Sequence, residues 1–129
     1  MEMLAAIGEH MWERTTPIER EAWLRLLASE IAAGGGGEID GEVFDLKQAL
    51  LASAEAGRNL AAVERYAARS YAVTLAEYVH CFWHDVTVRS GVEHLTPVEL
   101  HRRFRLFARW FSPHRRLFAF TESAEPHQA

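Results

Sequence analysis

Six side chains near the carboxyl end, Arg102, Arg105, Arg109, Trp110, Arg115 and Arg116, have the types and spacing to grip an anionic partner. On a helix, Arg102, Arg105 and Arg109 form one stripe of guanidinium groups, with Leu106 and Trp110 on its flank. Arg115 and Arg116 follow after Pro113. Guanidinium groups take carboxylates and phosphates in bidentate fashion, and aromatic rings beside them stack on unpaired bases. The stripe suits an acidic protein surface, including the acidic front half of a second copy, or a nucleic acid. The bland alternative is an amphipathic helix whose polar face happens to be arginine.

A second group, Glu77, His80, Cys81 and His84, falls at i, i+3, i+4 and i+7, on one side of a helix. Glu-x-x-His is the ligand spacing of di-iron bundles, and His80 and His84 one turn apart can share a divalent ion, with His94 as a further donor. A di-iron bundle needs a second Glu-x-x-His, and the helical segments contain none. Half-buried structural histidines account for the spacing better, so no cofactor is expected. Cys81, between Val79 and Phe82-Trp83, reads as a small core residue rather than a nucleophile. No serine elbow, His-Glu-x-x-His or phosphate-cradling loop occurs. Gly34 to Gly37 run into Glu38, Asp40 and Glu42, which repel phosphate, and Asp40, Glu42 and Asp45 lack the pattern of a calcium loop. That stretch is read as a linker, and the chain as no enzyme.

Two fragments are similar to known families. Trp83-His84 followed by Glu93-His94-Leu95 looks like the helical cap over cobalamin in light-sensing and methyltransferase proteins, with Ala49-Leu50-Leu51 and Leu60 to Glu64 resembling its start. Val86-Thr87 stands where that pattern has Gly-Glu, and the interval between its parts is too short. Arg109-Trp110-Phe111-Ser112-Pro113 is similar to the tail of small helical subunits of CRISPR effectors, which hold nucleic acid. Neither fragment is specific enough to name a family.

These groups need helices to position them, and the apolar period along the chain is 3.6 almost throughout. Residues 3–13 form a first short helix. Thr16-Pro17-Ile18-Glu19 is a helix start, with threonine as cap, proline in the first turn and glutamate returning to the cap. The helix it opens sends Ile18, Trp23, Leu26, Leu27 and Ile31 to a core and stops at Gly34. A further helix covers 43–56. The longest periodic stretch runs from Arg58 to about Val88, with Leu60, Ala67, Tyr71, Leu75, Tyr78, Phe82 and Val86 on one face and apolar residues on the others. Such a helix belongs at the centre of a bundle or in a dimer interface. Thr96-Pro97-Val98-Glu99 repeats the start signal and opens a helix to about Phe111, with Leu100, Phe104, Phe107 and Phe111 turned inward. Residues 114–120 form a short last helix or an extended arm. The likeness between the segments opening at Thr16 and Thr96 is explained mostly by shared capping chemistry.

The expected fold is all-α: a compact bundle of four to six helices with one long central helix. It forms a single domain over 1–120, with a flexible tail at 121–129. The 129 residues supply enough chain for a core. One cysteine excludes an internal disulfide framework, and no apolar run is long enough to span a bilayer. The amino terminus lacks the marks of a signal peptide, so the cytoplasm is the expected setting. Charge is polarised: residues 1–57 carry 4 basic and 11 acidic side chains, residues 101–129 carry 6 and 2, and the whole is −4. The functional expectation is a non-enzymatic adaptor or regulator that docks a protein partner, self-associates, or does both through Arg102, Arg105, Arg109, Trp110, Arg115 and Arg116. Nucleic-acid binding through the same surface is the alternative. A metal protein using Glu77, His80 and His84 is the third.

Overall fold

The computed structural model describes residues 2–52, 60–80 and 93–111. Five helices follow in order: α1 (Glu2–Glu13), α2 (Pro17–Ala32), α3 (Gly41–Ala52), α4 (Leu60–His80) and α5 (Pro97–Trp110). The expected all-α bundle is present, and no strand occurs among the described residues. None of the described helices is long and apolar enough to cross a membrane. The stretch from 81 to Val88 expected to belong to the long helix, the segment 114–120 and the tail 121–129 lie outside the described residues.

Both threonine starts form complete capping boxes. The Thr16 and Thr96 hydroxyls accept from the backbone N–H of Glu19 and Glu99, whose carboxylates accept from the threonine N–H in return. The proline after each threonine needs no hydrogen-bond acceptor in the first turn.

Helix α4 is the axis, as its apolar circumference requires, and α1, α2, α3 and α5 all pack on it. Its residues Ser70 to Ala76 are buried without a break. Helix α1 approaches so closely that a Cβ at Gly8 would stand 2.8 Å from the Ala72 backbone. Trp12 of α1 donates to Glu64 at 2.6 Å. Arg69 of α4 ion-pairs with Glu9 of α1 at 3.2 Å and Glu42 of α3 at 2.5 Å, tying three helices. Helices α2 and α5 run antiparallel and are bridged by large side chains. Trp23 stacks on Phe107 with centroids 5.4 Å apart, Tyr71 meets both rings edge-on, and the Trp23 Nε1 donates to the Ala67 carbonyl at 3.1 Å.

Phe107 is buried, and Phe104 and Phe111 are packed against the core, as the period of α5 predicts. Two core expectations are corrected. Ile18 is 80% exposed because it lies about 140° around α2 from Trp23. Leu60, grouped with the inner face of α4, is 76% exposed at that helix's first turn.

Candidate functional site

The glycine-rich stretch, read from the sequence as a linker, is packed into the structure, with Gly37 and Glu38 buried. It lies against the segment preceding α5, and Glu38 forms a parallel β-bridge with His94. The Glu38 N–H donates to the Glu93 carbonyl at 2.9 Å, and the Leu95 N–H donates to the Glu38 carbonyl at 3.2 Å. The approach admits only glycine at position 37, where a Cβ would fall 2.1 Å from the His94 carbonyl oxygen. This strap turns Glu38 inward, where its side chain is fully buried.

Glu38 there joins Glu30 of α2, Lys47 of α3, Tyr66 and Thr74 of α4, and Arg103 of α5, all of them buried. Arg103 is the hub. Its Nε and Nη2 donate to the Glu30 oxygens at 2.9 and 2.7 Å. Its Nη1 and Nη2 donate to the Glu38 oxygens at 3.0 and 2.7 Å, and Nη1 also donates to Thr74 Oγ1 at 3.1 Å. Every guanidinium N–H is thereby engaged, and the guanidinium carbon sits 5.4 Å over the Trp23 ring. Lys47 donates to the Gly37 carbonyl at 2.9 Å and stands 3.7 Å from Glu38 Oε2, to which the Tyr66 hydroxyl also donates. Two carboxylates balance one guanidinium and one ammonium, so the cluster is neutral, as a buried charge group must be to be tolerated.

The electrostatics follow the geometry. Burial alone would raise the Glu38 carboxyl, but the Arg103 charge and hydrogen bonds, together with Tyr66 and Lys47, hold it below the usual value. Burial pushes the Lys47 ammonium down, against the pull of Glu38. Burial and the Glu38 charge push the Tyr66 hydroxyl up. Burial opposes the charge on Arg103, yet Glu38 and Glu30 hold its value well above the ordinary one. The group is closed and mutually satisfied, which makes it a fastening of four helices and the strap rather than an open reaction centre.

The pattern contained a signal for part of it. Arg103 lies about 40° from Phe107 and inside the apolar stripe of α5, and Glu30 lies about 20° from Trp23 inside the stripe of α2. Lys47 likewise falls one turn from Phe44 and Leu50, in the middle of α3. Opposite charges in facing apolar stripes point to a buried pair. Glu38 carried no such mark, because its place depends on the strap.

On the outer face of α5 the expected cationic stripe is present. Arg102, Arg105 and Arg109 are exposed, and among the described residues neither Arg102 nor Arg105 has an ion-pair partner. Trp110 is half-buried, packing against Trp23, Tyr71 and Phe107, so only part of it borders the stripe. Arg115 and Arg116 lie outside the described residues. Of the histidine group, Glu77 and His80 are half-buried at the end of α4, while Cys81 and His84 lie outside the described residues. Among the described residues no three His, Cys, Asp or Glu side chains are placed to hold a metal ion. A cavity of about 120 Å³, lined by Met11, Arg14, Thr15, Glu19, Tyr71, Trp110 and Phe111, is well below the ~300 Å³ at which small-molecule pockets usually begin. Comparison with protein-family models, with curated proteins and with solved structures gives no match to the chain.

Proposed function

We propose that the protein is a non-enzymatic interaction protein, an adaptor or regulator, that docks an acidic protein surface through the outer face of α5. The observation that carries this reading is the contrast along one helix. Arg103 is consumed by internal carboxylates, whereas Arg102 and Arg105 on either side of it are exposed and, among the described residues, have no carboxylate partner. The internal fastening fixes the helix in place, so docking has to order the outer side chains but not the helix that carries them. Arg105 and Arg109 sit one turn apart, with Arg102 one turn before, a row suited to carboxylates spaced along a partner helix or strand.

The net charge of −4 opposes unspecific attraction to nucleic acid, and the partial burial of Trp110 reduces the ring surface on which a base could stack. A pull-down of the full chain from native extract, repeated with nuclease and across a salt series, tests the reading. A protein retained after nuclease and released as salt rises is expected, because exposed charge pairs are screened. Capture abolished by nuclease would move the assignment to a nucleic-acid partner, and no retained partner at low salt would contradict docking through charge.

A further inference from the structure

Glu38 sits in a socket whose walls come from three other elements. Arg103 of α5 offers two roughly parallel N–H donors to its oxygens, Tyr66 of α4 donates to one of them, and Lys47 of α3 adds a cation on the same side. All three side chains are buried, and Arg103 is independently held by Glu30 and Thr74. The carboxylate itself arrives on a strap of four glycines, the residues that resist ordering most.

We infer that this socket is a binding site for a small monocarboxylate, which Glu38 occupies as a ligand tethered to the chain. Without the Glu38 carboxylate, Arg103 Nη1 and Nη2 and the Tyr66 hydroxyl each lose an acceptor, and buried donors left unpaired call for a replacement carboxylate. The guanidinium fork matches a planar carboxylate and not a spherical halide. The atoms that Glu38→Ala removes beyond Cβ, a methylene and a carboxylate, correspond to those of acetate, so acetate fills the vacated space and benzoate is too large for it. In the native chain the tether keeps the local carboxylate concentration high, and free acetate finds the site taken.

The test uses the full chain carrying Glu38→Ala, melted in sodium acetate and in sodium chloride of equal ionic strength at neutral pH. Acetate at about 100 mM is expected to raise the variant's Tm by about 5 °C above the chloride control, as a ligand selective for the folded state does. Benzoate should not reproduce the rise. The native protein and Glu38→Gln, whose amide fills the socket, should respond equally to acetate and chloride. A variant whose Tm in acetate follows chloride, or a native protein that gains as much as the variant, overturns the inference. If Glu38→Ala is unfolded in chloride, acetate must restore its helical circular dichroism; failure to do so overturns the inference as well.

Discussion

Arg103 lies over the face of Trp23 at 5.4 Å, and the two residues stand at the same distance along the chain from their capping threonines, Thr96 and Thr16. Two helices that begin alike thus fill equivalent inward positions with an indole and a guanidinium, and run antiparallel so that the two groups meet. The indole accepts the cation on its face while Glu30 and Glu38 take its N–H groups in the plane. The Trp23–Phe107 stack and the fully engaged Arg103 guanidinium therefore share one joint.

Arg103→Ala leaves two carboxylates facing a single ammonium in the core, and is expected to cost about 3–5 kcal/mol in unfolding free energy. Arg103→Lys keeps the charge but cannot form both forks, and should recover less than half of that loss. Urea unfolding followed by circular dichroism measures both. A loss below about 1 kcal/mol for Arg103→Ala would mean that the cluster does not bind the helices together.

Acid should loosen the protein through Glu38. Its folded-state value is held below the ordinary 4.5, so on acidification the unfolded chain takes up the proton first. The stability it contributes is whole above the unfolded value and is lost as pH falls through the folded one. Unfolding free energy measured against pH is expected to drop below about pH 4.5, and Glu38→Gln, less stable at neutral pH, should show a shallower drop. Equal slopes for the two proteins would show that the Glu38 carboxyl is not held down by its neighbours.

The strap makes a sharp contrast between adjacent glycines. An alanine Cβ at position 37 would meet the His94 carbonyl at 2.1 Å, whereas at position 36 the nearest contact is Gln48 Nε2 at 3.9 Å. Gly37→Ala should cost about 1–3 kcal/mol by forcing the two backbones apart. Gly36→Ala should stay within about 0.5 kcal/mol of the native protein. Thermal melts of the pair decide it, and equal melting temperatures would contradict the close approach.

Periodicity made the helices legible, and capping chemistry located two of their starts to the residue. The central place of α4 followed from an apolar circumference that only a surrounded helix tolerates, and Phe107 followed from the stripe of α5. Apolar character alone points Ile18 inward, but its angle around α2 turns it away from Trp23 and into solvent. The buried cluster was half legible. Arg103 and Glu30 interrupt facing apolar stripes, a mark that spacing alone leaves open until the two stripes are known to face each other. Glu38 and Gly37 were invisible to local patterning, because what fixes them is a backbone pairing with His94, far along the chain. The outward row of Arg102, Arg105 and Arg109 was legible from helical spacing.

Removing the outer charges without touching the inner one tests the docking account most directly. The double variant Arg102→Glu/Arg105→Glu alters only exposed side chains, so its unfolding free energy is predicted to remain within about 0.5 kcal/mol of the native value. Capture of the nuclease-resistant partner, measured on the same preparation, is predicted to be lost. Undiminished capture by a stably folded double variant would contradict the account.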